Sequence, residues 1–143
     1  MASALFRDIG ILVARVGIGV VFVAHGWQKF FDYGVDATQA SFRDMGVPLP
    51  DIAAIAVAAV ELGGGVALIA GLLTSLAGFL LFLVMLGAFL IVHVDKGVFV
   101  AEGGYELVVG LGAGALLLAV TGAGRLGIDG LIGRSSGWGA VSD

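Results

Sequence analysis

The sequence contains no cysteine. That absence excludes disulfides, thiolate zinc sites, iron–sulfur ligation, haem attachment through C-x-x-C-H and any thiol nucleophile. Charge is scarce as well: Asp, Glu, Lys and Arg make up 13% of the 143 residues and hydrophobic residues 59%, where soluble domains carry about 25% charged residues. So few charged groups do not cover a water-soluble monomer. Seven Lys and Arg against eleven Asp and Glu leave a net charge of −4, with no basic stripe for nucleic acid. The 25 glycines far exceed the usual level of about 7%, yet they follow no G-x-y period, which excludes collagen. The length permits one domain. What remains, at a mean hydropathy of +1.11, is a small integral membrane protein.

Four apolar stretches, at residues 8–31, 52–73, 75–94 and 105–122, are long enough to cross a hydrocarbon core of about 30 Å as helices. Open sheet would leave backbone N–H and C=O groups unsatisfied in lipid, so the expected fold is an all-α membrane protein, an antiparallel bundle of these helices. The first stretch is a span and not a cleaved signal peptide: Arg15 interrupts it, and Ala24-His25-Gly26-Trp27 is a poor cleavage context. In the loop between the first two spans, Asp36 and Gln39 resemble a capping box, Gly46 fits the C′ position and Pro48 cannot continue a helix. This predicts a short helix over 37–45, with Phe42 and Met45 facing the membrane or the bundle. Leu73-Thr74-Ser75 makes a tight hairpin. The tail, 123–143, is polar and Gly-rich, with Ile128, Leu131, Ile132 and Trp138 suited to the membrane interface. Lys and Arg on the two sides tie, Arg7, Arg125 and Arg134 against Lys29, Arg43 and Lys96. The free amino terminus and Arg15 tip the expectation toward cytoplasmic termini in the cell membrane.

Ionisable residues inside a membrane cost about 2.5–3.5 kcal/mol each at mid-helix, so each asks for a reason. Counted at 1.5 Å per residue, Glu61 lies about 15 Å below the loop side and Arg15 about 10 Å in from the terminal side, which predicts an Arg15–Glu61 ion pair. His25 lies about 9 Å below the loop side, His93 about 3 Å, and Glu106 at the same rim. Lys29, at interfacial depth, is expected to snorkel. Helical phase predicts inward stripes: Arg15, Gly19, Phe22, Gly26 and Lys29 on the first span, with His25 beside them; Ala54, Ala58, Glu61, Gly65 and Leu68 on the second; Glu106, Gly110, Ala113 and Leu117 on the fourth. The Gly63-Gly64-Gly65 run sits in mid-span without a nucleotide motif around it, and reads as packing.

These polar groups admit several chemistries. A haem between His25 and His93 would need both rings at one depth, and the ~6 Å offset counts against it. A metal held by His25, His93, Glu61 and Glu106 lacks any Glu-x-x-His spacing. A quinone or similar amphiphile suits the pattern better, because its headgroup needs a protonatable carboxylate or imidazole and its tail an apolar slot. In that reading Glu61, His25 and Glu106 handle protons while Arg15, Lys29 and His93 bind.

Taken in order, Arg15-x3-Gly19, His25-Gly26-x2-Lys29, Phe42-x3-Gly46-Val47-Pro48, Glu61-Leu62-Gly63-Gly64 with Leu68 and Gly71, then Met85, Ala88 and His93, Gly104-x-Glu106, and Gly122-x-Gly124 with Asp129 form a pattern that resembles the DoxX family of four-span membrane proteins over nearly the whole chain. The family is similar to the membrane subunit of archaeal thiosulfate:quinone oxidoreductase, and its bacterial members are linked with redox and thiol-stress complexes. The resemblance implies a membrane subunit of a redox-linked complex that binds a quinone, with a partner protein or a second copy as its associate. Without cysteine, persulfide chemistry would fall to the partner. A non-catalytic scaffold that recruits a partner is the alternative, with small-molecule transport the weaker one, because four spans without visible inverted repeats make a short transport unit.

Overall fold

In the computed structural model, residues 2–135 are described, and they are helical wherever they are regular. Helix α1 (Ala2–Trp27) runs into a π-helical turn, Gln28–Asp32, and α2 (Val35–Asp44) is the short loop helix. After it come α3 (Pro50–Ala70), α4 (Thr74–Ala88) with a second π-helical turn at Phe89–His93, α5 (Glu106–Thr121) and α6 (Ile128–Ser135). With their extensions the first and third of these long helices cover Ser3–Asp32 and Thr74–Lys96, and α3 completes three helices long and apolar enough to cross a membrane. The fourth, α5, has 16 residues and rises about 24 Å. The protein is an all-α membrane bundle. Residue 8, the expected start of the first span, lies inside α1 and is buried. Trp138 lies outside the described residues.

Helix α1 packs chiefly on α3, α4 packs on α5, and the hairpin joins α3 to α4. Glycine makes the α1–α3 contact close. A Cβ on Gly26 would stand 2.5 Å from the Leu62 nitrogen and 2.9 Å from the Ala58 oxygen, and one on Gly65 would stand 2.7 Å from the Gly19 oxygen. Backbones therefore touch, as small residues permit in membrane helices. In the glycine run, Gly65 meets α1, Gly64 meets Leu81 of α4, and Gly63 meets nothing within 4 Å. The stripe expected on α3, Ala54, Ala58, Glu61, Gly65 and Leu68, is buried, and of that expected on α1, Arg15, Gly19, Phe22 and Gly26 are buried and Lys29 is partly buried. Phe22 and Leu68 join Ala77, Leu81, Met85, Ala115 and Leu118 in the central core.

Two expectations are corrected. On α5 the inward residues are Gly112, Ala115 and Leu118, while Glu106, Gly110, Ala113 and Leu117 are exposed. This helix is apolar on every side, so its composition carries no phase, and anchoring the phase on Glu106 turned it the wrong way. At α2 the N-cap is Gly34, not Asp36, and no side chain caps that end. Its φ of 85° carries the chain out of the preceding π turn, a conformation that glycine adopts at little cost. Gly46, with φ 74°, does end α2 as expected: Val47 N–H donates to the Phe42 carbonyl at 3.0 Å and Gly46 N–H to the Arg43 carbonyl at 3.0 Å.

The opposite end of the bundle is tied by charge. Asp129 accepts from the Leu73 N–H at 2.8 Å and the Thr74 N–H at 2.9 Å, which caps α4 from another segment. It also offsets the left-handed backbone of Leu73, φ 49°. Asp8 accepts from the Arg125 N–H at 3.3 Å, so the amino-terminal helix and the segment after α5 meet on the same side. Asp129→Ala removes the α4 cap and is expected to cost about 1 kcal/mol. A thermal melt in detergent should show it as a fall of roughly 3 °C.

Candidate ligand cavity

Between α1, α3, α4 and α5, with α2 over one edge, lies a cavity of about 590 Å³. It is far larger than the ~30 Å³ share of one water and falls within the ~300–1,000 Å³ typical of small-molecule sites. Its walls are apolar: Phe22, Val60, Leu83, Val84, Met85 and Leu111 are among them. Among the described residues four polar side chains line it: His25 and Lys29 from α1 and its π turn, Glu61 from α3, and His93 from the end of the second π turn. A few polar groups converging in an apolar slot is the usual make-up of a binding site.

The geometry of these four groups follows from local structure. Gly26 lies against Ala58 and Leu62, which flank Glu61, so the end of α1 and the middle of α3 are in backbone contact. Lys29 then turns inward, and its Nζ donates to Glu61 Oε2 at 2.6 Å. Glu61 is only 3% exposed; in a medium of low dielectric such a carboxylate needs its cation. His25 donates from Nδ1 to the Val21 carbonyl at 2.8 Å, one turn back on its own helix. His93 donates from Nδ1 to the Gly103 carbonyl at 2.6 Å, which ties the end of α4's extension to the loop before α5. Both π-helical turns flank the cavity, one carrying Lys29 and the other ending at His93. A π turn re-aims the side chains after it, and such turns gather at functional sites.

Two of the expected site residues sit elsewhere. Arg15 does not meet Glu61. It is fully buried, and its Nη1 donates to the Leu68 carbonyl at 3.0 Å and the Ile69 carbonyl at 3.2 Å, while Nη2 donates to Leu126 at 3.1 Å. Leu68 and Ile69 lie two turns further along α3 than Glu61, about 11 Å away. A depth counted from Asp8 placed Arg15 too far in: α1 reaches back to Ala2, and Arg15 lies level with the end of α3 at Leu68 and Ile69, not with its middle. Glu106 is exposed, and its Oε1 accepts from the Val100 N–H at 2.8 Å, so it fixes the loop ahead of α5. Lys29, expected to snorkel toward water, instead fills the place beside Glu61 that Arg15 was expected to take. The α2 segment contributes more than expected, since Phe42, Met45 and Val47 line the cavity; their apolar character beside Gly46 and Pro48 was the available signal. Among the described residues no group of three or more His, Asp or Glu is placed to hold a metal ion.

Comparison with known proteins places the chain among bacterial membrane proteins. The chain is 37% identical over 136 residues to "Inner membrane protein YqjF" of Escherichia coli (strain K12), covering 90% of this chain and 95% of that one. It is 34% identical over 135 residues to "Putative oxidoreductase CatD" of Bacillus subtilis (strain 168), covering 94% and 96%. "Inner membrane protein YphA" of Escherichia coli (strain K12) is 27% identical over 128 residues, covering 86% and 90%. No solved structure matches the chain. The model of the DoxX family matches residues 10–94, a stretch that holds Arg15, His25, Lys29, Glu61 and His93 together with the helices that carry them. The chain belongs to the DoxX family.

Proposed function

We propose that this protein is the membrane subunit of a redox-linked complex and that its cavity takes the headgroup of a quinone or a similar amphiphile. The observation that carries this reading is the placement of His25, Lys29, Glu61 and His93 on one apolar cavity of about 590 Å³. Such a slot accepts a ring and the start of an apolar tail, and its polar members bind and exchange protons at the ring oxygens. Glu61, held by Lys29, and His25 are the proton-handling groups; His93 and Lys29 orient the ring. Glu106 and Arg15 hold the frame around the site. The name of the Bacillus subtilis relative, "Putative oxidoreductase CatD", supports a redox setting.

The test is the lipid content of the protein purified gently from its own membrane. The expected result is co-purifying quinone in near-stoichiometric amount, reduced about tenfold or more in His25→Ala with Glu61→Gln, as removal of buried hydrogen-bonding partners predicts. Wild-type protein free of quinone, which also fails to take it up when it is added back, would sink the reading.

A further inference from the structure

The hydrogen-bonding sense of the cavity is fixed by what lies outside it. His25 Nδ1 and His93 Nδ1 each face a backbone carbonyl, Val21 at 2.8 Å and Gly103 at 2.6 Å. A carbonyl oxygen has lone pairs and no proton, so in both rings Nδ1 carries the hydrogen. The neutral ring then keeps its lone pair at Nε2, as an acceptor. Glu61 gives Oε2 to Lys29 and keeps Oε1, also an acceptor. Among the described residues that line the cavity, Lys29 is the one side-chain donor left, and one of its N–H groups is already committed to Glu61. Among the described residues no other titratable side chain lines the cavity: α2 and α5 present only apolar residues, such as Phe42, Leu107 and Leu111. The described residues that line the pocket thus carry three acceptors, His25 Nε2, His93 Nε2 and Glu61 Oε1, against the remaining N–H groups of one lysine.

We propose, on the basis of the quinone reading above, that the cavity selects the reduced quinol over the oxidised quinone. A quinol brings two O–H groups, each a donor that an imidazole Nε2 or the Glu61 carboxylate accepts, while Lys29 still donates to a quinol oxygen. A quinone brings two carbonyls and no proton. Both must draw on Lys29, and the acceptors around it go unpaired in an apolar slot, where each unmet group is costly. The ion pair leaves the site without net charge, so it gives no advantage to an anionic ligand over the neutral quinol.

The experiment is equilibrium binding of decylubiquinone and of its quinol, kept reduced under argon, to the full chain in lipid nanodiscs at pH 8. The expected result is quinol bound about tenfold or more tightly than quinone. His25→Leu and His93→Leu should each lower quinol affinity more than quinone affinity, and so shrink that ratio toward unity. Measurable binding of both forms with equal affinity, or a preference for the quinone, overturns the selection and leaves the proposed function standing. If neither form binds, the selection and the proposed function are both overturned. The wild-type ratio decides the matter even where a variant does not fold.

Discussion

Replacing Arg15 with methionine is expected to destabilise the bundle by about 3 kcal/mol. The guanidinium donates to three carbonyls, Leu68, Ile69 and Leu126. Methionine fills much of the same volume and donates to none of them. Leu68 keeps the Gly71 N–H at 3.1 Å, but Ile69 and Leu126 are left without that partner at a partly buried junction, at about 1–3 kcal/mol for each unmet group where water does not replace it. Removing the charge offsets part of this loss, since a buried cation is costly to desolvate. The carbonyls cannot be removed with it, so a net loss remains. It should appear as a fall of roughly 10 °C in a detergent thermal melt. Arg15→Lys should recover only part, because one ammonium does not reproduce the planar fork that spans α3 and the segment after α5. Below its melting temperature the Arg15→Met protein should still bind quinol with wild-type affinity, because Arg15 does not line the cavity. Lost binding in folded protein would show instead that this junction shapes the site.

The same residue marks the boundary of what could be read from the sequence. Arg15 and Glu61 were legible as buried, inward groups because each sits in a stripe of small residues at three- and four-residue steps, and those stripes pack α1 on α3. Their separation was not legible. Axial depth depends on where each helix begins relative to the other, and that offset is set by Gly19, Gly26 and Gly65 letting two backbones meet. Once Gly26 lies between Ala58 and Leu62, Glu61 is level with the end of α1, and Lys29 is the cation within reach. For α5 even the burial phase was hidden, because a helix that is apolar all round presents no polar face to orient it. Asp129 was visible as a spaced residue near the end of the pattern, but its work as the cap of α4 needs the chain to return to the α3–α4 hairpin. The cavity itself was legible in its polar members and illegible in its apolar ones. His25, Lys29, Glu61 and His93 stand out against a hydrophobic background, whereas Phe42 and Met85 resemble any other core side chain.

The Lys29–Glu61 pair joins the stability of the bundle to its site, and a double-mutant comparison separates the two. Lys29→Met leaves a carboxylate buried without its cation, and Glu61→Leu leaves an ammonium with its carboxylate gone. Each single change is expected to cost about 3 kcal/mol, as breaking a buried pair from one side does, and to lower the melting temperature by roughly 10 °C. The combined Lys29→Met/Glu61→Leu protein removes both charges and substitutes apolar residues of similar length in an already apolar slot. Such replacements are often close to neutral, so the double variant should melt within about 3 °C of wild type. Binding follows the other logic. Quinol affinity should fall about tenfold or more in both single variants and in the double variant alike, because the carboxylate acceptor, the lysine donor or both are gone. A double variant as unstable as the sum of its parts would mean that the two side chains do not act as a unit. A stable double variant that still binds quinol at wild-type affinity would remove the pair from the site and leave it with the structural task of joining the end of α1 to the middle of α3.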